Sequence, residues 1–119
     1  HVLGLARGGL VPATIINYKL KVPLLSYAVS TYEDTTKTNE LKVVQDVNFS
    51  SLAKGSKLLV VDDICDSGDT IKFIKKQIKK VDGITAIYST LFTKKKTKRL
   101  LNHYGVVVSG DTWIDFPWE

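Results

Sequence analysis

The sequence lacks methionine, has one cysteine and three prolines, and contains no long apolar run. The single Cys65 excludes an internal disulfide and fits a reducing, cytoplasmic setting. A membrane helix needs about 20 apolar residues in succession, and no signal peptide is visible, so no membrane association is expected. With 44% hydrophobic and 24% charged residues, the chain is expected to form one soluble domain over residues 1–119.

Positive charge exceeds negative charge, with 17 Lys and Arg against 12 Asp and Glu. Much of it lies in two runs, KKQIKK (75–80) and KKKTKR (94–99). A basic surface can bind nucleic acid, bind small polyanionic ligands, or simply be solvated without a specific partner. The lysines around the first run lie mostly off the apolar stripe of a predicted helix. We therefore favour a solvated helix face and do not expect nucleic acid as a partner.

The order of apolar and polar segments predicts alternating strands and helices. Runs of β-branched and aromatic residues indicate strands at 1–6, 22–30, 41–44, 57–61, 84–92 and 106–109. Apolar spacing with proline or glycine near the ends indicates helices at 11–20, 70–81 and 97–105. The expected fold class is α/β, with a mainly parallel twisted sheet flanked by helices on both faces. Ligands bind such sheets beyond the carboxyl ends of the strands.

The most informative stretch is LLVVDDICDSGDT (58–70), in which an apolar strand leads into four aspartates. Amides of the strand-to-helix turn would form an anion cradle that the helix dipole strengthens. Asp62 and Asp63 precede this cradle; they suit paired sugar hydroxyls or a hard divalent cation bound through water. The pattern therefore predicts a site for a ribose 5-phosphate. The cradle residues are Asp66, Ser67, Gly68, Asp69 and Thr70.

The same aspartates also suit roles that need no sugar phosphate. Asp62 and Asp63 would simply cap a strand, and Asp69 a helix, if the segment had no ligand. The stretch is not a Walker loop, because no GKS or GKT is present. A calcium loop needs oxygen ligands at alternate positions, and Cys65 breaks that pattern. A phosphoreceiver domain also begins with VVDD, but the later strands end in LFTK and VVVS and lack a phosphoacceptor aspartate.

VVDDICDSGDT resembles the phosphoribosyl-diphosphate motif of the type I phosphoribosyltransferases. LARGGLVPA, STYEDTTKTNELKV, LFTK and GDTWIDFPWE are similar, in order and spacing, to segments of the bacterial xanthine-guanine phosphoribosyltransferases. The resemblance implies the type I fold, with the tail 110–119 as a small base-binding hood. The family's N-terminal segment has no counterpart before His1, so we expect that segment to be missing from this sequence.

The resemblance implies a reaction of purine salvage. The 5-phosphoribosyl group passes from phosphoribosyl diphosphate to a 6-oxopurine (guanine, hypoxanthine or xanthine), and pyrophosphate is released. Mg²⁺ is the implied cofactor, with Asp62 and Asp63 on the metal side, acting mostly through ligand hydroxyls or water. Relatives form dimers or tetramers, which implies a homo-oligomer.

Individual roles also carry over from the resemblance. Asp66 matches the general acid or base near purine N7, and residues 66–70 match the 5-phosphate loop. Arg7 and Gly8 match a loop that binds pyrophosphate through backbone amides, often with a non-proline cis peptide. Because a free aspartate has a pKa near 4, the role of Asp66 needs help from burial or the bound phosphate.

The purine site is expected from the other end of the sheet. Its candidate residues are Lys94, Trp113 and Ile114. Lys94 matches the lysine that donates to the 6-oxo group and so rejects adenine, although Lys95 and Lys96 compete for this assignment. Trp113 matches the aromatic that stacks on the purine, and Ile114 would offer backbone groups; outside this context Trp113 would be interpreted as a core or interface aromatic. Trp118 is interpreted as structural.

Residues 31–40 are polar, lack periodicity and are expected to form a mobile lid over the donor. Thr31 and Tyr32 resemble the family's Ser-Tyr pair. The chain departs from the pattern at Asn39, where the xanthine-guanine enzymes have an arginine, and the loop is one residue longer. Lys37 is a candidate for the missing charge.

One alternative function remains open from the sequence. A regulator of the same fold would sense phosphoribosyl diphosphate and bind RNA, as the pI of 9.3 and the KKKTKR run allow. Asp66, Lys94 and Trp113 argue against it, because a pure sensor needs no purine pocket.

Overall fold

The structure, a computed structural model, describes residues 1–32 and 40–119, without the side chains of residues 31 and 32. Its strands are β1 (Val2–Ala6), β2 (Leu24–Tyr32), β3 (Glu40–Gln45), β4 (Lys57–Cys65), β5 (Thr85–Lys94) and β6 (His103–Val108). Its helices are α1 (Leu10–Leu20) and α2 (Asp69–Lys79), with 3₁₀ turns at Phe49–Ser51 and Lys98–Leu100. Among the described residues, every helix is too short or too polar to span a membrane.

The described strands form one six-stranded sheet in the order β3-β2-β1-β4-β5-β6. Neighbouring strands run parallel except for the antiparallel β2–β3 pair. Successive strand residues point to opposite faces. Accordingly, Val2 packs with Ala13 of α1, whereas Leu3 packs with Ile71 and Ile74 of α2. The predicted α/β architecture, with a mainly parallel sheet between helices, is confirmed.

Strand β4 is longer than the sequence predicted. Its apolar run is buried on both faces, with Val60 fully buried and Val61 2% exposed, as the lack of polar alternation indicates. The strand continues to Cys65, which pairs with Thr93 of β5. Asp62 and Asp63 therefore lie inside the strand rather than after it, because pairing with β5 extends the ladder past the apolar residues.

The helix predicted at 97–105 is wrong. Only Lys98–Leu100 forms a 3₁₀ turn, and the chain is extended at Leu101. Asn102 Oδ1 accepts a hydrogen bond from Tyr88 N at 2.8 Å, and the backbone N–H of Asn102 donates to Tyr88 O at 2.8 Å. A Cβ at Gly105 would lie 2.5 Å from Leu91 O, so this glycine allows close approach to β5 instead of ending a helix.

The predicted lid at 31–40 is partly strand. Tyr32 ends β2 and pairs with Glu40, the first residue of β3. Residues 33–39, including Lys37 and Asn39, lie outside the described residues, so their predicted roles stay predictions. Helix α2 also ends earlier than expected, at Lys79, and Gly83 lies in the following turn with φ +81°.

Candidate active site

The carboxyl ends of β1, β4 and β5 meet at one edge, because these three strands are parallel neighbours. This edge brings together the Arg7-Gly8 turn, the 66–70 loop and Lys94. The expectation that the purine site comes from the other end of the sheet is therefore wrong. Lys94 is the last residue of β5, the strand beside β4, and its neighbour Thr93 pairs with Cys65.

The turn after β1 is packed tightly against β4. The Ala6–Arg7 peptide bond is cis, and Gly9 N donates to Leu5 O at 2.8 Å. A Cβ at Gly9 would lie 2.5 Å from Val61 O, and a Cβ at Gly8 would collide with the carboxylate of Asp63. Glycine is the only residue that fits at either position, so the two glycines let the turn pack closely against β4, while Arg7 beside them is exposed.

Substitution of Gly8 tests this packing. Gly8→Ala is expected to displace the turn from Asp63 and, if the turn binds pyrophosphate as the family resemblance implies, to weaken binding of phosphoribosyl diphosphate at least tenfold. Gly110→Ala is the matched control, since a Cβ there meets nothing within 4 Å. Calorimetric titration of both variants checks the result, and unchanged affinity in Gly8→Ala would contradict it.

Asp62 and Asp63 form a close acidic pair at the end of β4. Asp63 is buried and Asp62 half-buried. Asp62 Oδ1 accepts from Asp63 N at 2.9 Å, and Asp63 Oδ1 accepts from Ile64 N at 2.7 Å. Burial, followed by the charge of Asp63, raises the pKa of Asp62 well above its ordinary value. The pair is thus suited to ligands that bring hydroxyl donors or positive charge.

The raised pKa predicts that Asp62 destabilises the free protein at neutral pH. The folded state binds this proton more tightly than the unfolded state, so stability falls as pH rises from the ordinary aspartate pKa toward the raised one. Asp62→Asn is expected to raise Tm at pH 7 and to change it little near pH 3. Thermal unfolding at both pH values checks this, with exposed Asp82→Asn as control. A lower Tm at pH 7 would refute it.

The loop from Asp66 to Thr70 connects β4 to α2, which begins at Asp69. Gly68 is buried with φ +85°, and Asp69 N donates to Ser67 Oγ at 3.3 Å. A Cβ at Gly68 would lie 2.6 Å from Leu100 Cδ1, so glycine is needed for both its backbone angle and its space. A cavity of about 110 Å³ lies over residues 64–71 and Asp62. Backbone amides and a helix N-terminus at this cavity suit a phosphate.

Lys94 is buried, at 2% exposure, and its ammonium binds the hood. Lys94 Nζ donates to Ser109 O at 3.0 Å, to Gly110 O at 3.3 Å and to Thr112 O. All three ammonium protons are therefore engaged, and a purine carbonyl would have to replace one of these acceptors. Lys95 and Lys96 are exposed, so Lys94 is the one of the three lysines whose ammonium is held at this edge of the sheet.

Trp113 is 76% exposed, which excludes a core role and leaves its ring free to stack. Ile114 beside it is half-buried. The tail packs through Phe116 instead, whose ring lies 5.7 Å from Phe92 and stacks on Trp118 at 5.0 Å. The sequence interpretation of Trp118 as structural agrees with this packing.

A second cavity adds Trp118 and Glu119, which were not among the site residues predicted from the sequence. It has a volume of about 520 Å³ and is lined by Arg7, Gly8, Asp63, Trp118 and Glu119. Trp118 and Glu119 therefore share this cavity with the β1 turn and Asp63. The PWE ending carried no chemical pattern of its own, so only the fold could have revealed this contact.

Most lysines of α2 are exposed to solvent. Lys72, Lys76 and Lys79 are exposed, as is Lys80 directly after the helix, and Lys72 Cε borders the phosphate loop, 3.9 Å from where a Cβ on Gly68 would lie. Lys75 is half-buried; its Nζ donates to Leu100 O at 2.5 Å and lies 4.8 Å from the Tyr88 ring centre, and burial lowers its pKa. This arrangement agrees with the predicted solvated helix face.

The fold and the site are those of an α/β protein with a glycine-containing loop and a helix N-terminus at the carboxyl edge of its sheet. The family model of the phosphoribosyl transferase domain matches residues 1–119, so the chain belongs to the phosphoribosyltransferase family. The predicted resemblance to type I enzymes is confirmed.

Named relatives agree with this assignment. The xanthine-guanine phosphoribosyltransferase of Idiomarina loihiensis is 34% identical over 99% of this chain and 70% of its own length. Purine phosphoribosyltransferase from Pyrococcus horikoshii matches with a TM-score of 0.85 and 28% identity, over 99% of this chain and 76% of that one. The Helicobacter pylori xanthine-guanine-hypoxanthine enzyme matches with a TM-score of 0.83 and 25% identity, over 99% and 75%. The regulator alternative finds no support among these relatives.

Proposed function

We propose that this chain transfers the 5-phosphoribosyl group from phosphoribosyl diphosphate to a 6-oxopurine. The observation that carries the proposal is the meeting of an acidic pair, a phosphate-type loop and a buried lysine on adjacent parallel strands. The relatives described above are named for xanthine, guanine and hypoxanthine, which are 6-oxopurines. The product is the purine nucleoside monophosphate.

The residues divide the reaction between them. The loop at 66–70 holds the 5-phosphate, and the Arg7-Gly8 turn holds the pyrophosphate. The C1–oxygen bond to pyrophosphate breaks as a purine ring nitrogen bonds to C1. Asp66 accepts the proton that the purine releases near N7. Lys94 donates to the 6-oxo group while Trp113 stacks on the ring. Fixed positions of both partners supply much of the rate increase.

Mg²⁺ dependence is part of the proposal. Within the described residues no cluster of three metal-ligating side chains exists, so the acidic pair cannot enclose an ion by itself. Asp62 and Asp63 fit an ion whose remaining ligands are donor oxygens and water. When bound, the ion would neutralise charge on the departing pyrophosphate.

The test is pyrophosphate release with phosphoribosyl diphosphate, Mg²⁺ and one of four purines. Guanine and hypoxanthine are expected as substrates, with xanthine as a third, and adenine is expected to be rejected. Omission of Mg²⁺ with added chelator is expected to abolish release. Turnover of adenine alone would overturn the assignment of Lys94.

A homo-oligomer in the cytoplasm completes the proposal. The outer surface of α1 carries an exposed apolar stripe of Val11, Ile15 (56% exposed) and Tyr18 (78% exposed). A second copy of this chain is the proposed occupant, because large apolar side chains at helical spacing suit burial. The single Cys65 allows no internal disulfide, which fits a reducing compartment. Sedimentation equilibrium distinguishes a dimer or tetramer from a monomer.

A further inference from the structure

Two buried threonine hydroxyls join β4 to the turn that follows β5. Thr97 Oγ1 donates to Cys65 O at 2.9 Å, and Thr93 Oγ1 lies 3.1 Å from Thr97 Oγ1. Thr93 is fully buried and Thr97 is 4% exposed. Thr97 Oγ1 also lies 3.2 Å from Lys94 O, and Thr93 Oγ1 lies 3.3 Å from Lys94 O and 3.5 Å from Cys65 O, so both hydroxyls lie between the last carbonyl of β4 and the last carbonyl of β5. The pair forms a short relay within the protein interior.

The relay connects the main chain beside the two halves of the candidate active site. Cys65 directly precedes Asp66, and Thr93 directly precedes Lys94. Thr97 N also donates to Lys94 O at 3.1 Å, which closes the turn after β5. The relay therefore fixes the main chain beside the proposed acid–base group and beside the proposed purine contact.

Side-chain packing connects the same segments. A Cβ at Gly68 would lie 3.4 Å from Thr97 Cγ2, so the methyl group of Thr97 borders the phosphate loop. The hydroxyl sets the position of β4's last carbonyl while the methyl group sits against Gly68. Valine, which has the shape of threonine without the hydroxyl, would keep the contact with Gly68 and lose the hydrogen bond to Cys65 O.

We propose that Thr97, supported by Thr93, is a positioning residue that holds the ribose-phosphate loop and Lys94 in register, so that sugar and purine meet in line. This inference rests on the proposed function. Errors of about 1 Å in such alignment can lower rates about 100-fold. Because the relay touches no ligand, its loss acts on kcat more than on the affinity for phosphoribosyl diphosphate.

The test compares Thr97→Val with Thr97→Ser and with Ser89→Ala. Ser89 Oγ also donates from β5 to a β4 carbonyl, Val60 O at 3.1 Å, but in the sheet interior. It is therefore a matched loss of one interstrand hydroxyl. Thr97→Val is expected to lower kcat about tenfold or more with donor KM changed less than about threefold, and Thr97→Ser to restore kcat to within about threefold of wild type.

Ser89→Ala is expected to lower Tm while leaving kcat within about twofold of wild type. Equal kcat losses in Thr97→Val and Ser89→Ala, or none in either, would overturn the positioning role alone. If Thr97→Val does not fold, Thr93→Val is measured in the same assay. A loss of kcat smaller than that expected for Thr97→Val would support the relay, and an unchanged kcat would contradict it. A wild-type chain inactive with all four purines would overturn the proposed function together with this inference.

Discussion

Asp66→Asn is expected to lower kcat by about 10²–10⁴-fold while phosphoribosyl diphosphate still binds. The substitution removes a proton acceptor but keeps the size and hydrogen-bonding shape of the side chain. Asp66 is exposed and lines the loop cavity, so its substitution is not expected to disturb the fold. Steady-state pyrophosphate release gives kcat, and calorimetric titration gives donor affinity.

Asp69→Asn is the matched control for Asp66→Asn. Asp69 is also exposed and lies in the same loop, but it is the first residue of α2. Its carboxylate is expected to stabilise the helix N-terminus by about 0.3–1 kcal/mol. In the proposed 5-phosphate loop Asp69 contributes its backbone amide rather than its carboxylate, so the control should show a slightly lower Tm with kcat within about twofold of wild type. Comparable kcat losses in both variants, or loss of donor binding in Asp66→Asn, would count against an acid–base role.

Lys94→Gln is expected to lower kcat/KM for guanine by about 10- to 150-fold, which corresponds to about 1.5–3 kcal/mol for a hydrogen bond to a charged group. The kcat/KM for adenine should not fall in parallel, so the ratio of kcat/KM for guanine to kcat/KM for adenine should become smaller. The variant should also have a lower Tm, because the carbonyls of Ser109, Gly110 and Thr112 lose a shared donor. Rates are therefore measured well below the Tm of the variant.

Lys95→Gln serves as control, because Lys95 is exposed next to Lys94 and carries the same charge. Its kcat/KM should match wild type for every purine. A specificity change in Lys95→Gln that is absent from Lys94→Gln would transfer the purine contact to the neighbouring lysine. Equal losses for guanine and adenine in Lys94→Gln would show that the residue supports the hood without recognising the 6-oxo group.

The central strands could be predicted from sequence because both of their faces are buried. VVDD and the following DSGDT are local patterns, in which the order of residues along the chain already fixes a strand, a turn and a helix N-terminus. Gly68 illustrates this: glycine permits the tight path of a strand-to-helix turn, and the structure has φ +85° there. The candidate phosphate loop could be predicted for the same reason.

Features that depend on distant partners could not be predicted in this way. The segment 97–105 has apolar residues and a terminal glycine typical of a helix, but Asn102 pairs with Tyr88 and directs the chain into β6. The three acceptors of Lys94 lie 15 to 18 residues away along the chain. Thr97 gave no signal at all, because a threonine in a polar basic run is ordinary until Cys65 is placed beside it.

The candidate active site lies at one edge of the sheet only, which leaves the opposite edge available for labelling. At the edge opposite the candidate active site, Gly55 N donates to Gly83 O at 2.7 Å, which ties two exposed turns together. A dye, a surface linker or an inserted epitope at Asp82 would stand at the far side of the sheet from the substrates. Immobilised or labelled forms of the enzyme made there should keep the turnover of the untagged chain.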